Sequence, residues 1–140
     1  MKVINFEDIA GTDREVHCPR GGFISYRYLL DSDLCGYTVT RTFIPKGMPQ
    51  TWHYTRHIES CYCVSGEATL ENLETGEKFD VRPGTLYALD KHDRHLFLAL
   101  EDTTLICVFN PPLKGREVHG EDGSYASDVV TGSMAAGVMP

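Results

Sequence analysis

The sequence predicts a single all-β domain, built as a β-sandwich or a small barrel. Three observations carry this. No segment of the 140 residues sustains a 3.6-residue apolar repeat. About nine short β-branched and aromatic runs fill some ninety residues of the middle of the chain. Gly, Pro and Asp clusters punctuate these runs at links too short for crossover helices. A chain of this length buries roughly two-thirds of its unfolded surface in one core. No repeat or composition shift marks a second domain.

The elements follow in order. The stretch up to Arg20 has room for an edge strand or a short helix. Strands are expected near Phe23–Leu30, Tyr37–Ile44, Thr51–Tyr54 and Glu59–Ser65, the last closed by the Ser65-Gly66 turn. Ala68–Asn72 and Lys78–Val81 flank the Thr75-Gly76 turn, and Pro83-Gly84 leads into Thr85–Leu89. His95–Ala99 and Leu105–Asn110 flank Asp102-Thr103. After Pro111-Pro112 the pattern fades. The small, polar residues from Ala126 onward read as a flexible C-terminal tail over 126–140, leaving 1–125 as the domain.

Composition narrows the class. The net charge of −7, with no basic cluster, offers nothing to nucleic acid or an anionic membrane. The longest apolar runs are strand-sized, far short of a membrane span. The start, MKVINFEDIAG, lacks the pattern of a signal peptide. Five cysteines without a CxxC fit free thiols in a reducing compartment better than a disulfide scaffold. The expected location is the cytoplasm.

Alternation is more informative. Side chains two apart share a strand face, which groups Phe23, Ser25 and Arg27; Thr38, Thr40 and Thr42; Glu59, Cys61 and Cys63; and Cys107 with Phe109. Turned inward, these make an interior too polar for simple packing and suited to a ligand cavity. The opposite assignment places them in solvent.

Two spacings bear on a metal. Gly47, His53, Thr55, Glu59 and Gly66 have the spacing of the first cupin motif, and Gly84, Asp90, His92 and His95 that of the second. The chain thus resembles the cupin superfamily, which implies a single-domain cupin barrel, a double-stranded β-helix. Thr55 stands for the usual second His, Asp90 and His92 for the usual Pro and Gly, and Ala99 for the closing Asn. From spacing alone the candidate ligands are His53, Glu59 and His95, a set suited to Fe(II) and O2 chemistry. The alternative is a polar barrel in which they only form hydrogen bonds.

Longer strings narrow the family. GTDREVH (Gly11–His17), HYTRHIESCYC (His53–Cys63), PGTLYALDKHDRH (Pro83–His95) and CVFNPPLKGREVH (Cys107–His119) resemble the ectoine synthases from about residue 1 to 125. The resemblance implies a cytoplasmic, Fe(2+)-dependent hydro-lyase, commonly a homodimer. Its reaction closes N-gamma-acetyl-L-2,4-diaminobutyrate into the compatible solute ectoine, made under osmotic stress, with loss of water. It implies Glu59, Tyr87 and His95 as metal ligands, with Tyr87 in place of His53, an oxygen-rich set that would polarise a carbonyl without activating O2. Glu117, His119 and Tyr87 carry the expected catalytic roles. Phe23, Arg27, Thr40, Thr42, His53, Tyr54, Cys107 and Phe109 are the expected substrate contacts. Arg27 offers paired donors for the substrate carboxylate. Phe23 stands where relatives usually have Trp, which keeps an apolar wall but loses an N–H donor, and Thr40 where they carry other polar residues. Cys61 and Cys63 read as core. The competing readings are an Fe(II) dioxygenase using His53, Glu59 and His95, and a non-enzymatic cupin that binds a small molecule.

Overall fold

A computed structural model describes residues 1–19, 22–119 and 125. A short helix, α1 (Phe6–Ile9), precedes ten strands: β1 (Glu15–His17), β2 (Ile24–Leu29), β3 (Thr38–Ile44), β4 (Gln50–Trp52), β5 (Ile58–Ser65), β6 (Ala68–Asn72), β7 (Lys78–Val81), β8 (Leu86–Leu89), β9 (His95–Ala99) and β10 (Thr103–Asn110). The nine expected strands are all present, with ends within two residues of the expected ones, and the N-terminal stretch supplies both the helix and the edge strand. The expected tail at 126–140 lies outside the described residues.

Every pairing is antiparallel. One sheet runs β1-β2-β3-β10-β5-β8 and the other β4-β9-β6-β7. The chain passes back and forth between them, so neither sheet could form first from one continuous segment. This is the jelly-roll topology of a cupin. Ile44 and Leu105 of the larger sheet and Phe97, Ala99 and Val81 of the smaller one are all but inaccessible, and they belong to one apolar cluster shared by both sheets. The β5–β6 turn is fixed by Gly66 at φ 91°, where an added Cβ would lie 2.4 Å from the Asp102 carbonyl oxygen.

The inward faces are those that alternation grouped together. Phe23, Ser25, Arg27, Thr38, Thr40, Thr42, Glu59, Cys61, Cys63, Cys107 and Phe109 are all buried. The outward faces of β5, β8 and β10 instead expose Tyr62, Leu86 and Val108. The interior is therefore apolar at one end and polar where β2, β3, β5 and β10 meet. Such a division places a site rather than a simple core.

Candidate active site

The polar end holds a small cavity lined by Phe23, Thr42, Trp52, Tyr54, Glu59, Cys61, Tyr87, Cys107, Phe109, His119 and Tyr125, among others. Its remaining void is about 20 Å³, room for about one water molecule. Five strands contribute: Thr42 from β3, Trp52 from β4, Glu59 and Cys61 from β5, Tyr87 from β8, and Cys107 and Phe109 from β10. Cross-strand pairing aligns them, since Cys61 is opposite both Cys107 and Tyr87, and Glu59 is opposite Phe109.

Three buried groups have the character of ligands. Burial pushes the Glu59 carboxyl up to about 7, against thiol donors from Cys61 and Cys107 that pull it down. His95, on β9, points Nδ1 at the Asp93 carbonyl oxygen at 2.9 Å. Burial holds its pKa below the ordinary histidine value, so the ring is neutral and the proton sits on Nδ1, the nitrogen that faces an acceptor. Nε2 therefore carries a lone pair, and it is buried without a hydrogen-bond partner among the described residues. The Tyr87 hydroxyl is likewise buried without a well-formed hydrogen bond, with the Cys61 thiol beside it. Burial holds this phenol well above its ordinary pKa. Buried polar atoms left unsatisfied are uncommon in folded proteins and call for a partner. A carboxylate, a phenol and an imidazole lone pair fit a metal ion, and the carbonyl that accepts from His95 Nδ1 is the usual support for a ligating histidine. Tyr87 connects the two sides, lining the cavity with Glu59 and also a groove of about 440 Å³ shared with His95.

The C-terminal segment supplies the other wall. His119 Nε2 and the Tyr54 hydroxyl are hydrogen-bonded at 2.5 Å. The His119 ring stacks on Tyr125 at 4.3 Å and meets Phe23 edge-on at 5.2 Å. Arg27 is almost wholly buried on β2 and anchors this segment. Its Nη1 donates to the Gly115 carbonyl oxygen at 2.8 Å and its Nη2 to that of Glu117. Nη1 also pairs with the Glu117 carboxylate at 3.7 Å, while Nε donates to Ser25. Glu117 in turn accepts from the backbone N–H groups of Lys114 and Gly115. Thr40 and Thr42 share a hydrogen bond at 3.0 Å, and the Cys107 thiol donates to Thr42 at 3.7 Å.

Of the expected site residues, Glu59, Tyr87, Phe23, Thr42, Tyr54, Cys107, Phe109 and His119 line the one cavity. Arg27, Glu117, Thr40 and His95 lie around it. His53 is half-buried beside β4 and is not among the lining residues. Among the lining residues outside the expected set, Cys61 and Tyr125 carry reactive or hydrogen-bonding groups. Cys61 shares the inward alternation of Glu59, a signal that was present and was assigned to the core. Tyr125 sits in a segment without periodicity, where no local signal exists. The loop before His95 accommodates one departure in residue type from the cupin motif: His92 stands at the usual glycine and adopts φ 54°, with its Nδ1 hydrogen-bonded to the Tyr54 carbonyl oxygen at 2.8 Å.

Comparison with known proteins decides the family. The family model described as ectoine synthase matches residues 1–129. This chain belongs to the ectoine synthase family. The L-ectoine synthase of Alkalilimnicola ehrlichii is 47% identical over 126 residues, covering 89% of this chain and 94% of that protein. The crystal structure of ectoine synthase from P. lautus aligns with a TM-score of 0.77 at 35% identity, over 81% of this chain and 80% of that one. The cupin domain of Schizosaccharomyces pombe Cnp3, at 10% identity and a TM-score of 0.55 over 64% of this chain and 61% of that one, shares the fold alone. Ectoine synthases are hydro-lyases, and every candidate site residue lies within the matched span. Among the described residues no helix is long and apolar enough to cross a membrane.

Proposed function

We propose that this chain makes ectoine by closing N-gamma-acetyl-L-2,4-diaminobutyrate with loss of water, using Fe(2+) held by Glu59, Tyr87 and His95. The observation that carries the reading is that the Tyr87 hydroxyl and His95 Nε2 are buried without a well-formed hydrogen bond among the described residues, Tyr87 lining one cavity with the buried Glu59 and a neighbouring groove with His95. When bound, the ion would withdraw electrons from the acetamide carbonyl, a poor electrophile on its own.

The remaining work falls to side chains of this chain. The α-amine must attack as the neutral base, forming the new C–N bond while its surplus proton is taken up. His119 is suited to this, since Tyr54 hydrogen-bonds its Nε2 and aromatic rings confine it. The carbonyl oxygen must then leave as water, which takes up two protons and leaves the C=N bond of the product. Glu117 and His119 are the acid–base pair assigned to this step. Arg27 would meet the substrate carboxylate, and Thr40 and Thr42 its polar edges. Phe23, Phe109 and Trp52 keep bulk water away from the reacting atoms.

A void of about 20 Å³ does not hold this substrate. Binding therefore moves the Tyr125 ring aside while His119 stays hydrogen-bonded to Tyr54, and the Arg27 contacts to Gly115 and Glu117 give way to the substrate carboxylate. The exposed Tyr62, Leu86 and Val108 supply apolar surface for the expected homodimer, and five free thiols suit a cytoplasmic protein. The test is ring closure by the iron-loaded chain under strict exclusion of oxygen, with the product identified by NMR. Closure without oxygen supports the reading. Oxygen-dependent turnover with no closure would favour the dioxygenase.

A further inference from the structure

Glu59 has a second set of neighbours. Cys61 is two residues along β5, and Cys107 is directly opposite Cys61 on β10. The two Sγ atoms and a Glu59 carboxylate oxygen all lie within 4.8 Å of one another. All three residues are at most 4% exposed, and they border the one-water void with Tyr87. Cys63 does not join them, for its thiol turns to the Ser65 and Gly66 carbonyl oxygens.

We propose that Cys61, Cys107 and Glu59 form a binding site for a thiophilic divalent cation such as Zn2+, distinct from the Glu59–Tyr87–His95 set and exclusive with it. Two sulfurs bound tetrahedrally at roughly 2.3 Å are about 3.8 Å apart, within the observed limit. Two thiolates and one carboxylate are softer than an O, O, N set and select Zn2+ over Fe2+. Binding replaces the S–H bonds of Cys61 and Cys107 with metal–sulfur bonds and releases both protons to solvent. Because Glu59 serves both sets, one ion occupies the cavity at a time, and Zn2+ displaces iron. This competition rests on the functional reading above; the sulfur site does not.

The test is X-ray absorption spectroscopy of the full chain loaded with one equivalent of Zn2+, on wild type, Cys61→Ser and Cys107→Ser. The expected result is two sulfur neighbours in wild type, fewer in each variant, and Zn2+ affinity at least about tenfold weaker in the variants. A wild-type shell of only oxygen and nitrogen overturns the proposal, as does an unchanged two-sulfur shell in Cys61→Ser. The wild-type spectrum alone suffices if a variant fails to fold. A sulfur-bound ion in a chain that never closes the substrate would retain this site and discard the function. Closure by a chain whose zinc has no sulfur neighbours would do the reverse.

Discussion

The Arg27 guanidinium is joined to Glu117 twice, through the backbone carbonyl oxygen and, at 3.7 Å, through the carboxylate. The two residues are ninety positions apart in the chain. Arg27 is the largest fully buried side chain in the barrel, so the contact fixes where the segment after β10 crosses the mouth. It also ties stability to function at one residue.

Arg27→Ala leaves the Glu117 carboxylate and two carbonyl oxygens without their cation. Breaking a buried pair in this way costs about 3–5 kcal/mol. Chemical denaturation should show a loss of that size, with substrate affinity falling as well. Arg27→Lys should recover part of the stability but not the affinity, because a single ammonium cannot replace the planar fork.

Tyr54→Phe removes the partner of His119 Nε2 and little volume. The expected loss of stability is about 1 kcal/mol. The kcat for closure should drop about 10–100-fold, as when the group orienting a working histidine is removed. An unchanged kcat would show that the Tyr54 hydrogen bond does not orient a working His119.

The Glu59 carboxyl titrates near 7 in the folded chain, against an ordinary value near 4.5. Between those values the native state holds a proton that the unfolded state has lost, so metal-free stability falls as pH rises through the window and levels off above about 7. His95 acts oppositely, because its folded pKa is depressed and its contribution is lost as pH falls. Comparing unfolding of wild type and Glu59→Gln isolates the carboxyl. The wild type should lose stability relative to the variant from about pH 5 to about pH 8, and Fe(2+) should reverse the trend. A difference that does not change with pH would contradict the burial of an uncompensated carboxylate.

Gly66→Ala should destabilise without touching the site. Its φ of 91° and the 2.4 Å approach to the Asp102 carbonyl oxygen leave nothing flexible to give way. The expected cost is about 1–3 kcal/mol in denaturant unfolding, with the KM for closure unchanged.

Much of this molecule was legible in its sequence, because a strand's period of two reports both its existence and its buried face. Glu59, Cys107 and Thr42 were found by that rule, and the polar interior they imply is present. Which sheet each strand joins was not legible, since β5 and β6 are joined by a two-residue turn and yet belong to different sheets. Cys61 reads as core and belongs to the buried cluster; that it also borders the cavity shows only in its alignment with Cys107 and Tyr87 across two strands. The role of Tyr125 depends on contacts with Tyr54, His57 and His119, none of them local. Likewise, nothing in the sequence announces that Arg27 holds the Gly115–Glu117 backbone.

The most direct measurement compares wild type with Tyr87→Phe, both reconstituted with Fe(2+), for iron content and for closure of N-gamma-acetyl-L-2,4-diaminobutyrate. Removing one phenol oxygen from a packed ring should leave the fold intact. The account predicts that iron content and closure fall together. Closure that persists in Tyr87→Phe with iron retained would contradict it and return the third ligand to His53.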